Sequence, residues 1–95
     1  MIKYNKGGVS MYLIGYVEFE KTIDGIDYAF ASYVTCNYFE DKETGYADWE
    51  FCDYNLYGIK AWKGEKEVEP ENVDLREIME TYTMSHLDKI NWEKD

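Results

Sequence analysis

The chain is poor in the residues that do covalent and metal chemistry: it has one histidine, two cysteines and no glycine-rich phosphate loop. Nucleophilic catalysis needs a nucleophile, a base within hydrogen-bond reach and a group that orients the base. The lone base, His86, sits on the apolar stripe of a predicted helix, and Ser85 beside it faces elsewhere, so they do not form a Ser–His arrangement. His86 is therefore read as a residue packed at a helix–sheet boundary. Cys36 and Cys52 lack metal-type spacing, and one histidine cannot complete a zinc set with them. Gly7-Gly8 precedes no strand–turn–helix unit, and the acids miss the ligand spacing of a calcium loop. Asp48, Glu50 and Asp53 stand close in sequence, but a carboxylate pair for glycoside chemistry needs a sugar cleft that a chain of 95 residues has little room to build. The expectation is a non-enzymatic protein with no catalytic residue, no metal and no cofactor.

Long apolar runs are also missing. Met11–Val17 falls well short of the roughly 20 residues of a membrane helix. It also lacks the basic lead and cleavage site of a signal peptide. Without an export signal the cysteines are read as reduced thiols, and the protein as cytoplasmic, with no membrane partner.

Positive charge is scarce as well. Twenty acids face ten lysines and arginines, for a net charge of −10. Most of the excess lies in residues 40–80, which carry −8, against −1 on either side. Such a field repels nucleic acid and anionic membranes and attracts basic surfaces.

What the chain does have is aromatic and apolar material: 45% hydrophobic, 18% aromatic and ten tyrosines. That composition supports a folded domain despite the charge. A chain of this size buries roughly 60–65% of its unfolded surface, enough for a single core. Most of the tyrosines are read as strand residues at the margin of that core, a position their ring and hydroxyl suit.

Residues 1–10 are polar and aperiodic and are read as a flexible leader, with the domain spanning 11–95. Lys6-Gly7-Gly8 can be encoded as AAA-GGA-GGT, a bacterial ribosome-binding sequence, with Met11 at a start distance downstream. Met11 is therefore expected to be the natural start, in a gene of a bacterium or one of its viruses.

Alternation predicts a first strand from Met11 to Glu20, with Met11, Leu13, Val17 and Phe19 on one face and Gly15 as a bulge. On the other face Tyr12, Ile14 and Tyr16 join Glu18 and Glu20. Asp24-Gly25 is a strong hairpin signal. A second strand runs from Ile26 to about Phe39, its even positions facing the core. After a polar loop ending in Gly45, a third strand covers Tyr46 to Tyr57, with Gly58 breaking it before a short fourth strand, Ile59–Lys63. By parity Cys36 and Cys52 fall on opposite faces and cannot bridge, unless a bulge shifts the register. Gly64–Glu71 reads as a charged connector, in which Pro70 removes a ladder donor.

A helix then opens at Asp74, with Glu77 three residues on as a capping-box variant and Val73 and Ile78 as a hydrophobic staple. Leu75, Ile78, Met79, Tyr82, His86 and Ile90 form its apolar stripe. The expected fold is α+β: a three- to four-stranded antiparallel meander sheet with one C-terminal amphipathic helix packed on one face.

Glu65, Glu67, Glu69 and Glu71 recur at every second residue, about 6.6 Å apart if the chain is extended. Glu40, Asp41, Glu43, Asp48, Glu50 and Asp53 form a second acidic group. Together they resemble the regularly spaced charges of a nucleic-acid strand. Tyr46, Trp49, Tyr54, Tyr57 and Trp62 interleave as anchors of the kind that dominate interfaces. These fifteen residues are the expected partner-binding set. The expected partner is a basic, nucleic-acid-binding protein that the chain would inhibit or occlude as a nucleic-acid mimic. In its most specific form the role is anti-defence: inhibition of a bacterial nuclease, of anti-CRISPR or anti-restriction type. Two other classes compete. One is a self-associating module, such as a homodimer covering the Tyr12–Ile14–Tyr16 face. The other is a small-ligand domain with an aromatic pocket.

Overall fold

The computed structural model describes residues 8–94, so Met1–Gly7 of the expected leader lie outside the described residues. It is an antiparallel five-stranded sheet with one short helix. Three long strands, β1 (Gly8–Ile23), β2 (Ile26–Asp41) and β3 (Tyr46–Lys63), are followed by β4 (Lys66–Val68), α1 (Leu75–Ser85) and β5 (Glu93–Lys94). In the sheet their order is β4-β3-β2-β1-β5. The long strands make the molecule a slab of 56 × 23 × 21 Å.

The turns follow local chemistry. Asp24 and Gly25 both have positive φ, 52° and 78°, as the two central positions of a type I′ hairpin require. Gly45 has φ 76° and donates its N–H to the Asp41 carbonyl at 2.8 Å, closing the β2–β3 hairpin. Asp74 caps α1, its Oδ1 accepting the Glu77 N–H at 3.1 Å.

Several boundaries depart from the sequence reading. Strand β1 starts at Gly8, three residues ahead of Met11, because Gly8–Ser10 pair with Phe39–Asp41, and the Ser10 hydroxyl donates to Asn37 Oδ1 at 3.1 Å. Gly15 is no bulge: the β1–β2 register is continuous through its pairing with Val34. Gly58 does not end β3, which is one strand of 18 residues. The acidic connector contains β4, whose Ala61↔Val68 and Trp62↔Glu67 pairs extend the sheet. The helix stops at Ser85, so Ile90 belongs to a returning segment that reaches β1 as β5, pairing Leu13 with Lys94 and Ile14 with Glu93. The sheet thus has five strands rather than three or four.

The two bulges are both on β3. Ala31 pairs with Gly58 but Ser32 with Leu56, leaving Tyr57 extra; Thr35 pairs with Asp53 but Cys36 with Phe51, leaving Cys52 extra. Each extra residue inverts the alternation, so the strand presents Trp49 and Phe51, then Tyr54 and Leu56, then Ile59 and Ala61 to the same face. On that face Val17, Tyr28, Phe30, Val34, Cys36, Phe51 and Ala61 are buried together with Met79 of α1. The Tyr82 ring stacks on Phe19 with centroids 3.9 Å apart. Buried Ser32 places its hydroxyl 3.1 Å from the Asn55 carbonyl, beside the Tyr57 bulge, and so satisfies main chain that the irregular ladder leaves available.

Candidate partner-binding face

The opposite face of the sheet is read directly from the register. Pairing brings β1 positions 12, 14, 16, 18 and 20 beside β2 positions 37, 35, 33, 31 and 29. These in turn meet Glu50, Asp53, Asn55, Gly58 and Lys60 of β3. Side-chain contacts confirm the shared face: the Tyr12 hydroxyl reaches Thr35 Oγ1 at 3.2 Å, and Thr22 reaches Asp27 at 2.6 Å.

This open face is acidic and aromatic. β1 contributes Glu18 and Glu20, and β2 contributes Asp27 and Asp41. β3 adds Asp48, Glu50 and Asp53, while Glu67 of β4 and Glu93 of β5 come level with Trp62 and Ile14. The one lysine among these strand positions is Lys60, so nine carboxylates face a single ammonium. The core side of the same strands carries Lys21, Lys63, Lys66 and Lys94 instead. The sheet is electrically two-sided. Among the described residues the one ion pair is Arg76–Asp53, at 3.9 Å, and no other face carboxylate is paired with a cation among them.

Between the acids lies a tyrosine patch. Tyr12, Tyr16 and Tyr33 are 45%, 40% and 42% exposed, and Tyr57 is 74% exposed because its bulge throws it clear of the ladder. Tyr16 is the centre: its ring lies 5.1 Å from Tyr33 and 6.2 Å from Tyr57, and its hydroxyl donates to Glu18 at 2.7 Å. That hydrogen bond, with desolvation and nearby negative charge, pushes the Tyr16 phenol up to about 12. Tyr46, beside Asp48, is also raised, chiefly by that carboxylate's charge. Both hydroxyls stay protonated donors at neutral pH.

The expected binding residues divide. Asp41, Asp48, Glu50 and Asp53 lie on the open face, with Tyr46, Tyr57, Trp62 and Glu67. Trp49 and Tyr54 do not: they pack against the core, Trp49 against Tyr38 at 4.9 Å and Trp92 at 5.3 Å. Glu40 pairs with Ala47 on the core side, Glu43 is in the hairpin turn, and Glu65 is in the β3–β4 turn. Glu69 and Glu71 follow β4 outside any strand, so residues 65–71 do not form one straight carboxylate row. The two acidic groups are also separated along the slab: Asp53 pairs with Thr35, and Trp62, level with Glu67, pairs with Asp27, eight residues away on β2, about 26 Å at 3.3 Å per residue. What joins them is the face between, through Glu18, Glu20, Tyr16 and Tyr33, which stand outside any acidic run of the chain. The signal for Tyr16, Glu18 and Glu20 is the alternation of β1, and for Tyr33 that of β2.

The free edge of β3 is protected. Asp48 and Asp53 each accept the N–H of the following residue, Trp49 at 2.9 Å and Tyr54 at 2.8 Å. Arg76 donates to the Cys52 carbonyl at 3.1 Å. These contacts, with the two bulges, occupy edge groups that another strand would use.

Both cysteines are free. Burial pushes the Cys36 thiol up to about 11, and burial also raises Cys52, so neither is an activated nucleophile. His86 ends α1, its Nδ1 directed at the Tyr82 carbonyl at 2.8 Å and its ring stacked on Tyr82. Among the described residues no three His, Cys, Asp or Glu side chains are grouped to hold a metal ion, and no helix is long and apolar enough to cross a membrane. No protein-family model, curated protein or solved structure matches the chain.

Proposed function

We propose that the chain is a non-enzymatic binding protein that occupies the basic surface of a nucleic-acid-handling protein with the open face of its sheet. The observation that carries this reading is the two-sided charge: nine carboxylates to one ammonium around exposed tyrosines, with the core on the other side. Tyrosine supplies large apolar contact with few rotors to order, and surrounding carboxylates steer and select a cationic partner. Asp48 and Glu50, about 6.6 Å apart on β3, continue to Asp53 and supply the charge spacing of a nucleic-acid mimic. The most specific form of the proposal is inhibition of a bacterial defence nuclease by occupancy.

Self-association is the weaker reading. A second copy on this face would set carboxylates against carboxylates, and the β3 edge is already capped. The test is capture from bacterial lysate by three immobilised proteins: the wild type, a face reversal (Glu18, Glu50 and Asp53→Lys) and a helix control (Glu80→Lys). A nucleic-acid-binding protein held by wild type and control, lost with the reversal and competed off by DNA or RNA supports the reading. Equal capture by all three, or capture indifferent to nucleic acid, refutes it.

A further inference from the structure

The open face contains a trough where the sheet's middle strand carries no bulk. Two successive rows read Glu18–Ala31–Gly58 and Glu20–Ala29–Lys60 across β1, β2 and β3. The floor is therefore two methyl groups and a glycine, and a Cβ built on Gly58 meets nothing within 4 Å. Tyr57, beside Gly58, forms one wall, and Tyr16 lies behind it with its ring 6.2 Å away. The depression holds about 650 Å³, the size of a pocket for several side chains. Lys60 stands two strands from Glu20 across the floor and makes no ion pair with it.

We propose that this trough is the anchor point for an arginine-bearing segment of the partner. The inference rests on the face-binding reading above and names the chemistry that face selects. A guanidinium lying on the floor has the Glu18 and Glu20 carboxylates on one side and the Tyr57 ring on the other. Glu18 is already oriented, because the Tyr16 hydroxyl donates to it, and Tyr16 in turn abuts Tyr57. Planar stacking on an aromatic ring combined with forked hydrogen bonding to a carboxylate suits arginine and is poorly matched by the compact, strongly hydrated ammonium of lysine. The apolar methyl floor takes the arginine stem. An apolar side chain would fill the floor but leave the carboxylates uncompensated, and an acidic or nucleotide ligand would meet like charge.

The test uses the full chain, isotopically labelled, titrated with hexa-arginine and hexa-lysine peptides of equal charge while amide shifts are followed. The expected result is tighter binding of hexa-arginine by about fivefold or more, with the largest shifts at Ala29, Ala31, Tyr57 and Gly58. Ala31→Leu, which fills the floor from the solvent side, and Tyr57→Leu, which removes the ring, should each weaken it about tenfold. Glu80→Gln, on the helix and away from the open face, should change it less than about threefold. Hexa-arginine shifts confined to Asp48–Asp53, equal affinity for both peptides, or unaltered binding by Ala31→Leu and Tyr57→Leu would overturn the trough while leaving the acidic face as a binding surface. No binding of either peptide at low salt would overturn both.

Discussion

Gly15 lies on the core side of β1, beneath the returning C-terminal segment, and Gly15→Ala tests whether that segment is packed as described. A Cβ built there would stand 2.5 Å from Ile90 Cγ2 and 3.1 Å from Trp92 Cε3. The first distance is shorter than real contacts allow, so either Ile90 moves or the segment lifts. Trp92 is not free to yield, since its indole N–H donates to the Leu87 carbonyl at 2.9 Å and its ring packs on Trp49. Forcing an extra methyl into a filled site costs about 1–3 kcal/mol. Replacing glycine within a strand returns roughly 0.5–1 kcal/mol of that. The net expectation is a loss of about 1–2 kcal/mol, or about 4–8 °C in melting temperature for each kcal/mol in a domain of this size. Urea unfolding followed by tryptophan fluorescence reads the effect. The same substitution made in an Ile90→Ala background should cost clearly less, because the shortest clash is gone and only the Trp92 contact remains, so the two changes should be non-additive. A Gly15→Ala protein as stable as wild type, or a penalty undiminished by Ile90→Ala, would refute the packing of this segment over β1.

Two further outcomes follow from other parts of the structure. The folded state holds the Cys36 thiol protonated to about 11 against 9.0 for the free group, so its contribution is complete below pH 9 and is lost as the pH rises towards 11. Tyr16, raised from 10.0 to about 12, extends the decline. The urea midpoint should therefore fall between pH 9 and 11, less steeply in Cys36→Ala, and a flat profile would show that burial of the thiol is not as described. At the β3 edge, Asp48→Ala with Asp53→Ala frees the Trp49 and Tyr54 N–H groups for another strand. Light scattering should then show molar mass rising with concentration, while the corresponding asparagines, which keep an acceptor oxygen, should restore the wild-type value. A rise of equal size in the asparagine variant would mean that charge loss, not edge capping, controls association.

Features set by a few neighbouring residues were legible in the chain alone. Asp24-Gly25 made a hairpin because only such residues tolerate two positive φ angles in succession. Asp74 and Glu77 marked the start of the helix because a carboxylate three residues before an open N–H is a local geometry. The even-numbered core positions of β2 followed from simple alternation, as did the grouping of Tyr12 and Tyr16 with Glu18 and Glu20. Tertiary structure alone decided the rest. The bulges at Cys52 and Tyr57 come from matching β3 to β2 over 18 residues, and nothing within β3 announces them. They turn Tyr54 inward and Tyr57 outward, so a binding set drawn from sequence neighbours mixed residues of two faces. Strand β5 is two residues long and has no periodicity to read; its partner β1, laid bare beside it by Gly15, defines it. A run of acids along the chain indicated that charge would matter, but the two-sided sheet arises because pairing gathers Glu18, Glu50, Glu67 and Glu93 from four strands onto one face.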